Sequence, residues 1–453
     1  VCKELLMTNI LEHPTAIRVH ATKANGHKPT ASQALDAAWL RQLCLDAGAD
    51  DVGFVALTRP ELADQQADIL KVFPQTKTLI SYVCRMNRTP IRSVARSAAN
   101  LEFHETTDLV NEVGHTIVRA LEAQGVRALN AAAGFPMEMT DFPGKTWIVS
   151  HKPVAVAAGL GMMGIHRNVI HPKFGNFILL GTILIDRPIA SESQPIDYNP
   201  CLSCKLCVAA CPVGAIGADG AFNFNSCYTH NYREFMSGFT DWVETVAESK
   251  SAVDYRKQVS DGESASMWQS LAFGPNYKAA YCMAVCPAGE DVIAPFLDDR
   301  KGFLEEMVKP LQQKVETIYV LPNSEAEAYV TKRFPHKRPK RIQNGLRPTS
   351  IKGFVTGLPL VFNKVAAAGK TLTYHFHFTG DEAMQITVAI DKGTLQVQEG
   401  LVGKADCQVT ADSATWLAFL RKEQKLIGPL LRGKVRIKGS PRLLMTFGQM
   451  FGA

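Results

Sequence analysis

The sequence predicts a multidomain α+β protein, and three observations carry that expectation. Strand-like and helix-like stretches alternate over roughly the first 190 residues. A dense cysteine run ending in Cys-Pro comes near residue 200, and the last hundred residues return to short alternating strands around a helix. A chain of 453 residues has room for roughly two to four domains, each with its own core. The expected division is 1–190, 191–300, a linker over 301–350, and 351–453.

Residues 1–30 carry little pattern and are expected to wrap loosely on the surface. Over 32–47, Leu35, Ala38, Leu40, Leu43 and Leu45 recur at helical spacing, and Gly48 stops the helix. Residues 51–57 and 78–84 read as strands. A long helix is predicted over 106–124, with Val110, Val113, Ile117, Val118 and Leu121 on one face. Residues 153–157 read as an apolar strand running into Gly159-Leu160-Gly161-Met162-Met163-Gly164. That G-x-G-x-x-G matches a dinucleotide fingerprint. The segment from Ile165 to His171 is too short before Pro172 for the helix that holds a pyrophosphate, and no βαβ unit comes after it. A nicotinamide or flavin site is therefore not the reading.

The cysteines speak more clearly. Cys201, Cys204 and Cys207 stand at i, i+3 and i+6, so three thiolates can wrap one face of a cubane. Cys211, followed by Pro212, points toward a second one. This is the C-x2-C-x2-C-x3-C-P run whose last cysteine serves the other cluster, and Cys282-Met-Ala-Val-Cys286-Pro287 supplies the complementary ending. Zinc sites use separated Cys or Cys/His pairs instead. The crossover assigns Cys201, Cys204, Cys207 and Cys286 to one [4Fe-4S] cluster. Cys211, Cys227 and Cys282 fall to the second, which is one thiolate short because Ala279 stands where the repeat would place a cysteine. That site is either a [3Fe-4S] cluster or a [4Fe-4S] cluster with another ligand, for which His230 and Cys84 are candidates. The other isolated cysteines, Cys2, Cys44 and Cys407, read with Cys84 as small buried side chains.

Unpaired cysteines and reduced clusters point to a reducing compartment, so the expected location is cytoplasmic. No run of eighteen apolar residues is present, so no membrane span is expected. The start of the chain lacks an apolar export signal. A net charge of +6 suits an anionic cofactor or nucleic acid without requiring either.

The segment 158–166, then 175–186, then the cysteine run, resembles epoxyqueuosine reductase, a family that shares its catalytic core with the reductive dehalogenases. The resemblance spans about 30–300 and is most specific over 152–290. It implies a nitroreductase-like α/β core that binds a corrinoid, cobalamin, beside a ferredoxin-like module with two iron–sulfur clusters. Matched by motif, Gly159, Leu160, Gly161, Gly164, His166, Arg167, Asn168, Phe177, Leu180 and Gly181 would line the corrinoid. Glycines let a backbone close on a flat macrocycle, and residues 177–185 would form a dry wall. Family members place an aspartate proton donor shortly before the glycine motif. At the equivalent interval this chain has Lys145, with Asp141 and Glu138 a few residues earlier. These three are the candidate acids, set against the plain reading of a solvated loop between Pro136 and Pro153. A lysine there would need burial to lower its pKa.

The polar stretch of about fifty residues between Cys227 and Cys282 either caps a substrate channel or decorates the surface. The basic run 331–341, punctuated by proline, reads as an extended linker. Beyond it, strand-like alternation over 371–378, 384–390 and 394–398, a helix over 413–422, and Gly433-Lys-Val-Arg-Ile-Lys-Gly439 resemble the sterol carrier protein 2 (SCP2) domain. Such domains hold apolar molecules between sheet and helices. Met445, Phe447, Met450 and Phe451 are candidates for a tunnel lining or for ordinary core.

Taken together, the resemblances imply a cobalamin-dependent reductase of the dehalogenase kind. An external low-potential donor of the ferredoxin or flavodoxin type would feed the clusters. The SCP2-like tail points to a small apolar substrate over tRNA, the substrate of the epoxyqueuosine reductases. A non-catalytic electron-transfer or ligand-carrying protein is the reading from another class.

Overall fold

The computed structural model describes Thr15, Arg18 and residues 34–131, 147–201, 203–278, 280–343, 347–348 and 350–451. Its first layer is organised by a strand that is apolar on both faces. β1 (Asp51–Ala56) pairs antiparallel with β2 (Thr78–Arg85), which is buried up to Arg85 and pairs antiparallel with β6 (Ile178–Ile185). β3 (Ala128–Asn130) closes the order β1-β2-β6-β3. Between them in sequence, β4 (Met162–Met163) and β5 (Val169–Ile170) form a separate two-residue ladder. Side chains alternate across a strand. Val52, Phe54, Ile80 and Tyr82 therefore meet Leu40 and Cys44 of α1 (Ala37–Asp46) and Val110, Val113 and Ile117 of α2 (Arg96–Ala123). On the other face Val55, Leu79, Val83 and Leu184 meet α3 (His151–Ala157) through Val154, Ala155 and Ala157.

The sheet is wholly antiparallel, so the βα alternation over the first 190 residues encodes an α+β layer. One expectation changes here. The apolar run 153–157 is the body of a helix, not a strand. Its buried positions 154, 155, 157 and 158 follow helical spacing, and five apolar residues cannot distinguish the two by pattern alone.

The cysteine module is built from short helices, α4 (Leu206–Ala210), α5 (Phe224–Asn231) and α6 (Tyr281–Ala284). The stretch between Cys227 and Cys282 folds into helices Ser237–Glu248, Ala252–Gln258 and Asp261–Phe273, the last opened by a Ser260/Glu263 capping box. Residues 301–341 are not an extended linker. They hold helical turns, β7 (Thr317–Val320), α7 (Glu325–Arg333) and β8 (Arg338–Arg341), with β7 and β8 parallel. Val308, Leu311, Ile318, Val320, Ala326 and Val330 enter the same core as Cys207, Cys211 and Tyr281. The basic run folds because its charges find partners. Lys337 donates to Leu311 O, Lys314 O and Glu316 Oε1 at 3.0, 2.9 and 2.7 Å, while Lys340 meets Glu263 and Arg341 meets Glu327.

The C-terminal sheet contains β9 (Thr371–Thr379), β10 (Met384–Asp391), β11 (Thr394–Glu399), β12 (Cys407–Asp412) and β13 (Val435–Lys438), in the order β11-β10-β9-β12-β13. Its core gathers Phe354 and Leu358 of α8 (Ile351–Val361), Trp416 of α9 (Ser413–Leu420) and Phe447, Met450 and Phe451 of α10 (Pro441–Phe451) around Tyr374, Phe376 and Phe378. Met445 is exposed and lines no tunnel. β12 and α8 escape a pattern reading: β12 pairs parallel with β9 across a long connection, and α8 carries Gly353, Gly357 and Pro359. No helix among the described residues is long and apolar enough to cross a membrane.

Candidate functional site

Ten cysteines lie among the described residues, and all are free thiols. Those of the module gather into two groups. Cys207 and Cys286 each feel the charge of Cys201 and Cys204, Cys227 feels Cys211 and Cys282, and Cys282 also acts on Cys207 and Cys286, so the two groups adjoin. Burial together with this mutual repulsion pushes the Cys282 and Cys286 thiols up to about 11 and about 12, and those of Cys207 and Cys227 further. Thiols so placed release their protons only against a strong positive centre, which iron supplies.

The backbone is shaped for the anionic form. The turn after Cys211 aims the N–H groups of Val213, Gly214, Ala215 and Ile216 at its sulfur, with Ala215 N at 3.3 Å. Gly214 makes that turn with φ of +62°, forming the kind of backbone nest that holds iron–sulfur clusters. The residues therefore fit two iron–sulfur clusters. Among the described residues no group of three or more metal-binding side chains is placed to hold a single metal ion. Neither candidate for the missing ligand of the second group lies with it. Cys84 is sealed in the sheet core with Cys44 and Tyr82, and His230 accepts from Tyr319 N at 3.2 Å among Lys278, Lys314 and Glu316. Ala279 lies outside the described residues.

The ten residues matched to a corrinoid divide sharply. A Cβ on Gly159 would stand 2.4 Å from Gln194 O, on Gly161 2.5 Å from Ile170 O, on Gly164 2.7 Å from Ile170 Cδ1, and on Gly181 2.0 Å from Tyr82 Cζ. These glycines accommodate the protein's own chain, so they do not form an open cradle for a macrocycle. Leu160 and Phe177 are buried, Phe177 beneath the Arg92 guanidinium. His166 is buried and accepts from Asn168 N at 3.1 Å through Nδ1, which places its proton on Nε2. The neighbouring Asn176 presents nitrogen to Nε2 while its Oδ1 has no partner, and turning the amide over satisfies both. Arg167 is exposed, donating to Gly220 O and lying over Phe222.

Asn168 and Leu180 remain half-open, and with them comes a residue that the sequence reading missed. Lys152, in the first turn of α3, donates to Arg167 O at 2.7 Å and to Asn168 Oδ1 at 3.1 Å, and the amide nitrogen of Asn168 lies 4.0 Å from Cys282 Sγ. Lys152 reaches solvent, yet desolvation lowers its pKa, opposed by the Cys282 and Cys227 sulfurs. Its neighbour His151 is likewise half-open and lowered to about 4 by desolvation, with Nδ1 at 2.8 Å from Thr182 Oγ1. Lys152 and Asn168 thus form a hydrogen-bonded pair beside the second cysteine group. The only sequence signal was a lysine directly after a histidine, ahead of the glycine turn. Lys145, Asp141 and Glu138 lie outside the described residues.

Comparison with known proteins sets this geometry in context. Residues 195–217 match the 4Fe-4S binding domain, and residues 363–452 match the SCP-2 sterol transfer family. An epoxyqueuosine reductase from Lactococcus garvieae is 36% identical over 143 residues, 32% of this chain and 33% of that one. One from Staphylococcus aureus is 35% identical over 82 residues, 18% of this chain and 21% of that one. Part of this chain is similar to the epoxyqueuosine reductases, and residues 363–452 are similar to the SCP-2 sterol transfer family.

Its likeness to epoxyqueuosine reductases is partial, spanning about a third or less of the length of those two relatives. Among solved structures, an epoxyqueuosine reductase from Bacillus subtilis overlays with a TM-score of 0.35 at 16% identity, covering 66% of this chain and 75% of that one. A catabolic reductive dehalogenase overlays at 0.37 and 15% identity, covering 60% and 34%. At such scores neither overlay assigns a site.

Proposed function

We propose that this chain is a corrinoid- and iron–sulfur-dependent reductase that cleaves a carbon–heteroatom bond reductively in a small, apolar organic substrate. The observation that carries the reading is the Lys152–Asn168 pair, whose amide lies against Cys282 of the Cys211/Cys227/Cys282 group. When bound, the clusters supply single electrons and the corrinoid supplies a nucleophilic metal centre. Cys201, Cys204, Cys207 and Cys286 would hold one cluster, and Cys211, Cys227 and Cys282 the other. Lys152, Asn168 and Leu180 are the residues that would face the corrinoid. Lys152 keeps a proton on Nζ between two acceptors and brings positive charge to the side of the second group. The proton donor for the cleaved bond falls to Lys145, Asp141 or Glu138 in this reading, since all three precede α3 in sequence. The electron source is an external low-potential donor, and the setting is the cytoplasm.

The preference for a small substrate over tRNA rests on the SCP2-like domain; in the basic run 331–341, Lys337, Lys340 and Arg341 pair with Glu316, Glu263 and Glu327. The tRNA reading keeps one observation in its favour: Arg432, Lys434, Arg436, Lys438 and Arg442 are exposed along one edge of the SCP2 domain.

Protein prepared without oxygen, analysed for iron, sulfide and cobalt and titrated with cobalamin, tests the proposal. Stoichiometric retention of cobalamin with a changed optical spectrum is expected. Protein that carries iron and sulfide but retains no cobalamin is an electron carrier, and the proposal fails. Tight, salt-sensitive binding of a tRNA stem-loop would replace the small substrate with tRNA.

A further inference from the structure

A second cavity, of about 320 Å3, lies behind the cysteine module, between the start of α2, the segment 276–278 and β7. Its lining brings Arg96, His230, Lys278 and Lys314 together with the carboxylate of Glu316. His230 is 2% exposed, and its Nδ1 accepts from Tyr319 N, so the neutral ring carries its proton on Nε2. That Nε2–H has no acceptor. Around it stand Lys314, Lys278 (paired with Glu234), Arg96 (which donates to Ile91 O and Ser93 O), and the first turn of the 28-residue α2, which no side chain caps. The lining's carboxylate, Glu316, is already engaged by Lys337 at 2.7 Å and Lys314 at 3.3 Å. A buried N–H without an acceptor is unfavourable, and a helix start surrounded by cations attracts negative charge.

We infer that this cavity binds a small oxyanion of the phosphate class, with His230 Nε2 and Lys314 Nζ as its principal donors. The site is argued from residues outside the two cysteine groups and does not depend on the reductase reading. Two sources offer the same chemistry: free phosphate, and the phosphodiester of a nucleotide-tailed cofactor.

The test is calorimetric titration of the full chain, prepared without oxygen in phosphate- and sulfate-free buffer, with inorganic phosphate. One saturable site is expected. Lys314→Met and His230→Phe should each weaken it at least about tenfold, the loss of one charge-assisted hydrogen bond, with iron content and circular dichroism unchanged. If His230→Phe does not fold, Lys314→Met carries the test, because that side chain is 26% exposed and tolerates substitution. Competition by cobalamin but not by cobinamide, which lacks the phosphodiester, assigns the site to a cofactor tail. Competition by neither assigns it to free phosphate. Competition by both places the cavity under the corrin ring itself and overturns a separate oxyanion site. Absence of saturable binding, or binding undiminished in both variants, leaves the cavity filled by water alone and also overturns it.

Discussion

A methyl group on Gly181 would stand 2.0 Å from Cζ of Tyr82, a fully buried ring whose hydroxyl donates to Val110 O at 2.7 Å. Gly114 of α2 meets the same hydroxyl from the far side, at 2.4 Å for an added Cβ. Gly181→Ala is therefore expected to destabilise the protein by about 1–3 kcal/mol through overpacking, read as a lower denaturant midpoint. Loss of cobalamin affinity at unchanged stability would return Gly181 to the cofactor site. The histidines make a second prediction at this scale. Burial holds His151, His166 and His230 at about 4, below their ordinary value near 6.5. The unfolded chain binds these protons first, so the stability tied to each is complete above pH 6.5 and is lost as pH falls toward 4. Each contributes at most roughly 3 kcal/mol. His166→Gln should flatten that slope by up to one proton in urea unfolding between pH 6.5 and 4; an unchanged slope would show that His166 does not titrate there.

Among the elements, residues 301–341 hold the cysteine module from behind, and Lys337 is their keystone. Its ammonium is buried, its pKa is lowered chiefly by that burial, and Glu316 is its counter-ion. Lys337→Met leaves the Glu316 carboxylate without its main partner, at a cost of about 3–5 kcal/mol. Clusters should then be lost at a lower temperature than in the parent, monitored by their visible absorbance. The crossover between α4 and α6 makes a sharper statement. Cys286→Ser should remove the same electron paramagnetic resonance signal as Cys201→Ser, and Cys211→Ser the same signal as Cys227→Ser. Loss of one common signal in all four variants would mean a single cluster.

Across the whole molecule, Glu244 in helix Ser237–Glu248 ties the cysteine module to the C-terminal domain through Arg347 and Lys422. Asn363 Nδ2 reaches Asn323 O at 3.1 Å, and α8 packs on α5, the helix that carries Cys227. The ion pairs are partly exposed, so Glu244→Gln should cost under about 1 kcal/mol, and less at high salt. The thermal transition of the C-terminal domain would report it, and a loss of several kcal/mol would mean that the domains fold as one unit.

The strands β9, β10 and β11 were legible in the chain itself, because period-two alternation between near neighbours marks them, and covalent spacing alone proposes the cysteine grouping. The [4Fe-4S] and SCP2 resemblances drew on the same local information. What tertiary structure alone decided were matters of long-range contact: that residues 153–157 coil instead of extending, that the first sheet is antiparallel throughout, and that the basic run folds once Glu316, Glu263 and Glu327 arrive from elsewhere. The glycines near residue 160 show the physical reason most directly. An absent side chain announces that something approaches closely, but only the packed chain reveals that the approaching atoms are Gln194 O at Gly159 and Ile170 O at Gly161.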